Sequence, residues 1–143
     1  MQIPRRSLRP AREPKGQIVV LFALMLVVTV GFVGLAIDVA HVRAVAEDMQ
    51  RAADGGALAG VVYLPSDVPD TESRAAAVTT QNGFTDSGAA CASTVGGVCV
   101  TYAPDGPNRK LAETITSRVP TYFLRLFGYS SITVSRTATA TYN

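Results

Sequence analysis

Cys91, Cys99, His41 and Asp38 are the side chains whose chemistry could decide what this chain does. Cys91 and Cys99 lie close together in a loop-to-strand stretch, on the side that the charge distribution places outside the cell. In an oxidising compartment such a pair favours a disulfide, and closing so short a loop contributes roughly 2–3 kcal/mol. Two unpaired thiols are the alternative. A metal site needs more ligands than two sulfurs, and the only histidine, His41, falls in a distant helical stretch. His41 has no partners for a triad and reads as an exposed or interfacial helix position. Asp38 closes a long uncharged run, where a carboxylate stays hydrated at headgroup level. No G-x-S-x-G, H-E-x-x-H, C-x-x-C or phosphate loop occurs, and the other polar residues are mostly Thr and Ser on expected strands. These residues point away from catalysis, from a metal and from any cofactor.

The element that must position everything else is the run 18–37, IVVLFALMLVVTVGFVGLAI. It carries no charge and one hydroxyl, Thr29. As a helix it covers ~30 Å, the thickness of a bilayer's hydrocarbon core. It is apolar on every face, which suits lipid or the core of a large protein, and 143 residues offer no such core. Residues 1–17 hold Arg5, Arg6, Arg9, Arg12 and Lys15 against Glu13, a net +4, with three prolines that leave nothing to bury. Residues 38–143 hold eight basic and ten acidic residues, a net −2. The basicity thus belongs to a tail beside the span, and nucleic-acid binding has little support. Positive charge stays on the cytoplasmic side, so the N-terminus is expected inside and everything after Asp38 in the periplasm or beyond. The tail can also touch anionic headgroups of the inner membrane. A cleaved signal peptide is the competing reading, but its apolar region is normally shorter, and the nearest A-x-A match, Ala44-Val45-Ala46, lies several polar residues past the run.

The helix is expected to continue through 38–63, to about Tyr63 before Pro65, for on the order of 65–70 Å in all. Leu35, Val39, Val42, Ala46, Met49, Ala53, Gly56 and Gly60 recur at steps of four and three, a single seam along one side. Arg43, Glu47 and Arg51 follow at i,i+4 on another side. Asp54-Gly55-Gly56 is the weak point, where two glycines cost about 2 kcal/mol relative to alanine and a bend is expected. Gly56 and Gly60 have G-x-x-x-G spacing, which lets another backbone approach: this protein's own sheet, a neighbouring subunit, or each along different turns. Residues 64–143 then form a head. A helix capped by Asp70 or Thr71 runs to Gln81 and stops at Asn82-Gly83. Alternating strands follow at 98–102, 110–119 and 132–142, with a turn at Pro104-Asp105-Gly106-Pro107 and a short helical turn, TYFLRLFG, ending at Gly128. The fold class is α+β: a long N-terminal helix packed on a small antiparallel sheet, in a pilin-like arrangement.

The stretch Lys15-Gly16-Gln17, the apolar run, Gly34-Leu35-Ala36-Ile37-Asp38-Val39 and the run MQRAADGGALAG at 49–60 together resemble the N-terminal module of the TadE/TadG-like family of bacterial tight-adherence (Flp) pilus systems. Asp38, Gln50, Ala52, Ala53 and Asp54 stand at its signature positions, and RVPTYF at 118–123 with Leu126-Phe127-Gly128 is similar to the family's short members. The resemblance implies a minor-pilin-like or assembly component in the inner membrane that contacts other pilin or pilus-assembly subunits. Some such relatives are cut by a prepilin peptidase after a glycine, which would fall between Gly16 and Gln17 here. Phe22 matches their aromatic, but Leu21 stands where they have a glutamate. The alternative function is a membrane-tethered periplasmic module that binds a ligand or cell-wall polymer, which a closed pocket lined by Tyr102, Tyr122 and Phe123 would favour.

Overall fold

The computed structural model describes residues 15–64, 67–88 and 91–143. Most of the basic tail, residues 1–14, lies outside the described residues. The chain falls into two compact units, Met1–Val33 and Gly34–Asn143. Without a proline or a capping signal to stop it, the sequence winds into one long helix, α1, over Lys15–Val61.

In the first unit the large apolar side chains of α1 are 51% to 71% exposed. Nothing among the described residues covers them, and α1 holds a window long and apolar enough to cross a membrane. The one hydroxyl of the run is satisfied within the helix: Thr29 Oγ1 donates to the Met25 carbonyl at 2.8 Å. A helix in lipid needs that arrangement, because no water is there to serve the polar group.

In the second unit a three-stranded antiparallel sheet covers one side of α1. Its order is β1 (Val98–Asp105), β2 (Lys110–Pro120), β3 (Ser131–Thr141). β2 is central and strictly alternating, and its inward side chains Leu111, Glu113, Ile115, Ser117 and Val119 are buried. They meet Met49, Ala52, Ala53, Ala57 and Val61 of α1 in the main core. On the outer face, paired hydroxyls tie the strands across: Thr114 to Thr137 at 2.8 Å and Thr116 to Ser135 at 2.9 Å. A second helix, α2 (Val68–Gln81), buries Thr71, Ala75 and Thr79. This is the expected α+β arrangement.

Four details differ from the sequence expectation. The helix passes through Asp54-Gly55-Gly56 unbroken, because tertiary packing on Gly56 and Gly60 outweighs their poor propensity. α2 begins at Val68, with Asp67 as its cap accepting the Asp70 amide at 3.3 Å; Pro69 sits in the first turn, where its missing N–H is no loss. β1 extends to Asp105, which bonds the Asn108 amide and side chain across the hairpin turn. Arg51 pairs with Asp48, one turn back, instead of Glu47.

The close approach of elements sets a testable contrast. A Cβ on Gly60 would meet Leu111 Cδ2 at 2.6 Å and the Thr71 carbonyl oxygen at 2.7 Å. The second of these is backbone and cannot swing aside. Helix propensity favours alanine by about 1 kcal/mol, whereas overpacking costs about 1–3 kcal/mol, so the clash wins. Gly60→Ala is expected to lower the thermal midpoint by several degrees. Gly55→Ala meets only Val78 Cγ1 at 3.3 Å and Asn82 Nδ2 at 3.9 Å, and is expected to be neutral or stabilising. Equal losses in thermal denaturation of the two variants would contradict this packing.

Candidate functional site

Asp38 is fully buried. Its Oδ1 accepts the Tyr122 amide at 2.8 Å, and its Oδ2 accepts those of Phe123 at 3.0 Å and Leu124 at 2.6 Å. These amides lead into a 3-10 turn, Leu124–Phe127, which connects β2 to β3 and ends at Gly128 with φ 90°. A carboxylate buried without partners is costly, and three charge-assisted bonds offset that cost. Burial pushes the Asp38 carboxyl up; the amides of Leu124, Tyr122 and Phe123, with His41 nearby, outweigh it and hold the carboxyl below its ordinary value. Asp38 is therefore not hydrated as expected, but clasped by backbone. His41, one turn on, is half-buried with its ring 5.3 Å from that of Tyr122. Phe123 lies so close over Gly34 that a Cβ there would overlap its ring.

A second polar contact lies further along α1. Glu113 of β2 is fully buried and faces Gly56, where a Cβ would overlap its Oε2. Its Oε1 contacts Thr79 Oγ1 of α2, which also lies 2.9 Å from the Ala75 carbonyl. A hydroxyl has one proton, and the carbonyl can only accept. A neutral Glu113 donating to Thr79, with Thr79 donating to Ala75, satisfies both bonds. Burial pushes the Glu113 carboxyl up to about 7, with the Thr79 bond acting the other way. Oε2 has no hydrogen-bond partner among the described residues. Tyr102 stands opposite Glu113 in the β1–β2 pairing; burial raises its phenol, and negative charge on Glu113, Asp86 and Glu72 adds to the shift.

The seam divides into two parts. Ala46, Met49, Ala53, Gly56 and Gly60 are buried within the head, Val42 is half-buried, and Leu35 and Val39 are exposed. The G-x-x-x-G spacing serves the protein's own β2 and α2. Of the signature positions, Gln50 donates to Asp54 Oδ1 at 3.0 Å and reaches the Thr137 carbonyl of β3 at 3.5 Å, while Ala52 and Ala53 lie in the core. Cys91 and Cys99 are joined in a disulfide with Cα atoms 5.1 Å apart. Arg118 holds the same loop by donating to the Ala92 and Ser93 carbonyls, each at 3.1 Å. Gly16 and Gln17 are exposed in the first turn of α1. Among the described residues no cluster of His, Cys, Asp and Glu could hold a metal ion.

Comparison with known proteins bears on α1. Residues 16–68 match the putative Flp pilus-assembly TadE/G-like family. The TadE/G-like match thus takes in α1 from its second residue and ends where α2 begins, before the sheet. It covers the exposed apolar run, Asp38 and the small-residue turns, and supports involvement in Flp pilus assembly. No curated protein and no solved structure matches the chain.

Glu113 and the amides of 122–124 were not singled out in the sequence. Glu113 had a signal: it is the one carboxylate on an inward face otherwise made of Leu111, Ile115, Ser117 and Val119. The amides had none, since backbone donors leave no mark on residue type.

The two buried acids have opposite pH signatures. Glu113 binds its proton more tightly folded than unfolded, so its contribution is fully present below pH 4.5 and is lost as pH rises toward about 7. Asp38, with its carboxyl lowered, contributes above its ordinary 3.8 and loses that contribution as pH falls below it. Thermal denaturation is expected to show stability falling from pH 4.5 to about 7, and Glu113→Gln is expected to flatten that slope. An unchanged slope in the variant would contradict this account.

Proposed function

We propose that this protein is a minor-pilin-like structural or assembly component of an Flp pilus, anchored in the bacterial inner membrane by residues 18–37. The N-terminal tail is cytoplasmic, and the continuing helix 38–63 and the head 64–143 are periplasmic. The protein works by packing. The observation that carries this reading is that the TadE/G-like match falls on α1, whose large apolar side chains from Ile18 to Val33 are left exposed by the described residues. The charge asymmetry supports the orientation, with net +4 before the run and −2 after it. A non-enzymatic role agrees with the family.

Partners are other pilin or assembly subunits, and the surface offered to them is narrower than the whole seam. Leu35 and Val39 remain open, whereas the turns from Ala46 to Gly60 are occupied by the head. The ligand-binding alternative loses the feature that would have favoured it. Tyr102 pairs with Glu113 partway along β2, whereas Tyr122 follows the strand's end and Phe123 covers Gly34, which separates Tyr102 from the other two by about nine strand residues, ~30 Å.

Photo-crosslinking amino acids placed at Leu35 and Val39 in cells are expected to yield adducts with other pilus proteins. One at Met49, fully buried, is expected to yield only intramolecular products. Intermolecular adducts from Met49 alone, or none from Leu35 and Val39, would overturn the assembly reading.

A further inference from the structure

The β2–β3 connection carries a dense exposed apolar surface. Leu126 is 83% exposed, Phe127 75%, Tyr129 66% and Tyr122 59%, and Arg125 stands among them, also exposed. The connection is well ordered. Thr121 Oγ1 donates to the Tyr129 carbonyl, the Thr121 amide bonds the Ser130 carbonyl at 3.2 Å, and Gly128 closes the turn. Four large apolar side chains held outward by a fixed backbone call for a nonaqueous neighbour.

Their level along α1 says which neighbour. The Asp38 clasp fixes residues 122–124 at the first charged position after the apolar run. Phe123 packs on Gly34, four residues before Asp38 and inside that run, or about 6 Å further back along the axis. Leu35 and Ile37, at the same level, are themselves exposed. If 18–37 spans a bilayer, as proposed above, this connection cannot avoid the bilayer's edge. Its composition suits that depth: tyrosines sit at membrane–water interfaces, and an arginine can bury its stem while its guanidinium reaches a phosphate.

We propose that the β2–β3 connection is a second membrane contact, in which Tyr122, Leu126, Phe127 and Tyr129 enter the headgroup–acyl boundary of the leaflet where α1 emerges and Arg125 meets lipid phosphate. The head is then held against the membrane surface at two points, the helix and this turn. Lipid, not a protein groove, is its occupant.

The chain contains no tryptophan, so one introduced residue reports alone. The full chain is reconstituted into phosphatidylcholine–phosphatidylglycerol vesicles whose acyl chains are brominated either near the headgroup or near the chain end. Phe127→Trp, and Tyr129→Trp as a second reporter, replace exposed side chains and leave the core untouched. Their emission is expected to be blue-shifted and to fall roughly twofold or more with the shallow bromines, the depth expected of an interfacial segment. Leu24→Trp, inside the run, is expected to be quenched by the deep bromines. Tyr142→Trp, beyond the other end of the sheet, is expected to be unaffected. If Leu24→Trp is quenched and both connection reporters are not, the second contact is wrong while the span stands. If Leu24→Trp is not quenched, the span reading fails and takes this inference with it. Blue-shifted connection reporters that bromine does not quench would assign the surface to a protein partner or a second copy, and would overturn the lipid contact.

Discussion

One carboxylate accepting three backbone amides joins the two ends of this fold. Asp38 is the first charged residue after twenty-two uncharged ones, and its bonds reach 84 to 86 residues along the chain. The second fixed point is Glu113 against Gly56. Between them α1 advances eighteen residues, ~27 Å at the helical rise, while the chain from Glu113 to Tyr122 advances nine, ~30 Å at the strand rise. The two lengths agree to within about one residue of strand. That agreement lets α1 and β2 run antiparallel with contacts at both ends, and the contact at Gly56 is one that only a glycine allows.

Locking the head onto α1 decides which surfaces remain for function. The turns rich in alanine and glycine suggest a subunit interface, yet Glu113, Leu111, Thr71 and Ala75 occupy them. The small residues exist so that a sheet and a second helix can come close to one side of α1. The open apolar surface includes the run, the level of Leu35 and Val39, and the turn that Asp38 holds. Every large exposed apolar group near that level follows from where the clasp places the β2–β3 connection. On the function proposed above, position along the helix assigns partners: lipid at the run and its edge, and assembly subunits in the turns just beyond.

Much of this was legible in the sequence, for local reasons. An uncharged run of this length, alternating strands at 98–102, 110–119 and 132–142, and Gly128 as a stop all express periodicity or backbone preference within a few residues. The misread positions are those settled by distant parts of the chain. Asp38 reads as hydrated when only its neighbours in sequence are considered, because the amides that bury it carry no side-chain signature. α2 starts earlier than the sequence suggests, because Val68-Pro69 looks like loop although proline is well suited to a first helical turn. The weakness expected at Gly55-Gly56 follows from propensity, yet the helix stays unbroken there, because packing overrides propensity when a glycine face is filled. Glu113 could have been found by asking why one carboxylate interrupts an inward-facing row.

The clasp is most directly tested by amide hydrogen exchange on the full chain at neutral pH, comparing it with Asp38→Asn. The amide side chain keeps the shape but presents two donors where the carboxylate offered only acceptors. The account predicts that residues 122–124 are protected in the native chain and exchange far faster in the variant, while the core around Met49 and Leu111 keeps its protection. Identical exchange of residues 122–124 in the two proteins would show that the Asp38 carboxylate does not hold the head to the helix.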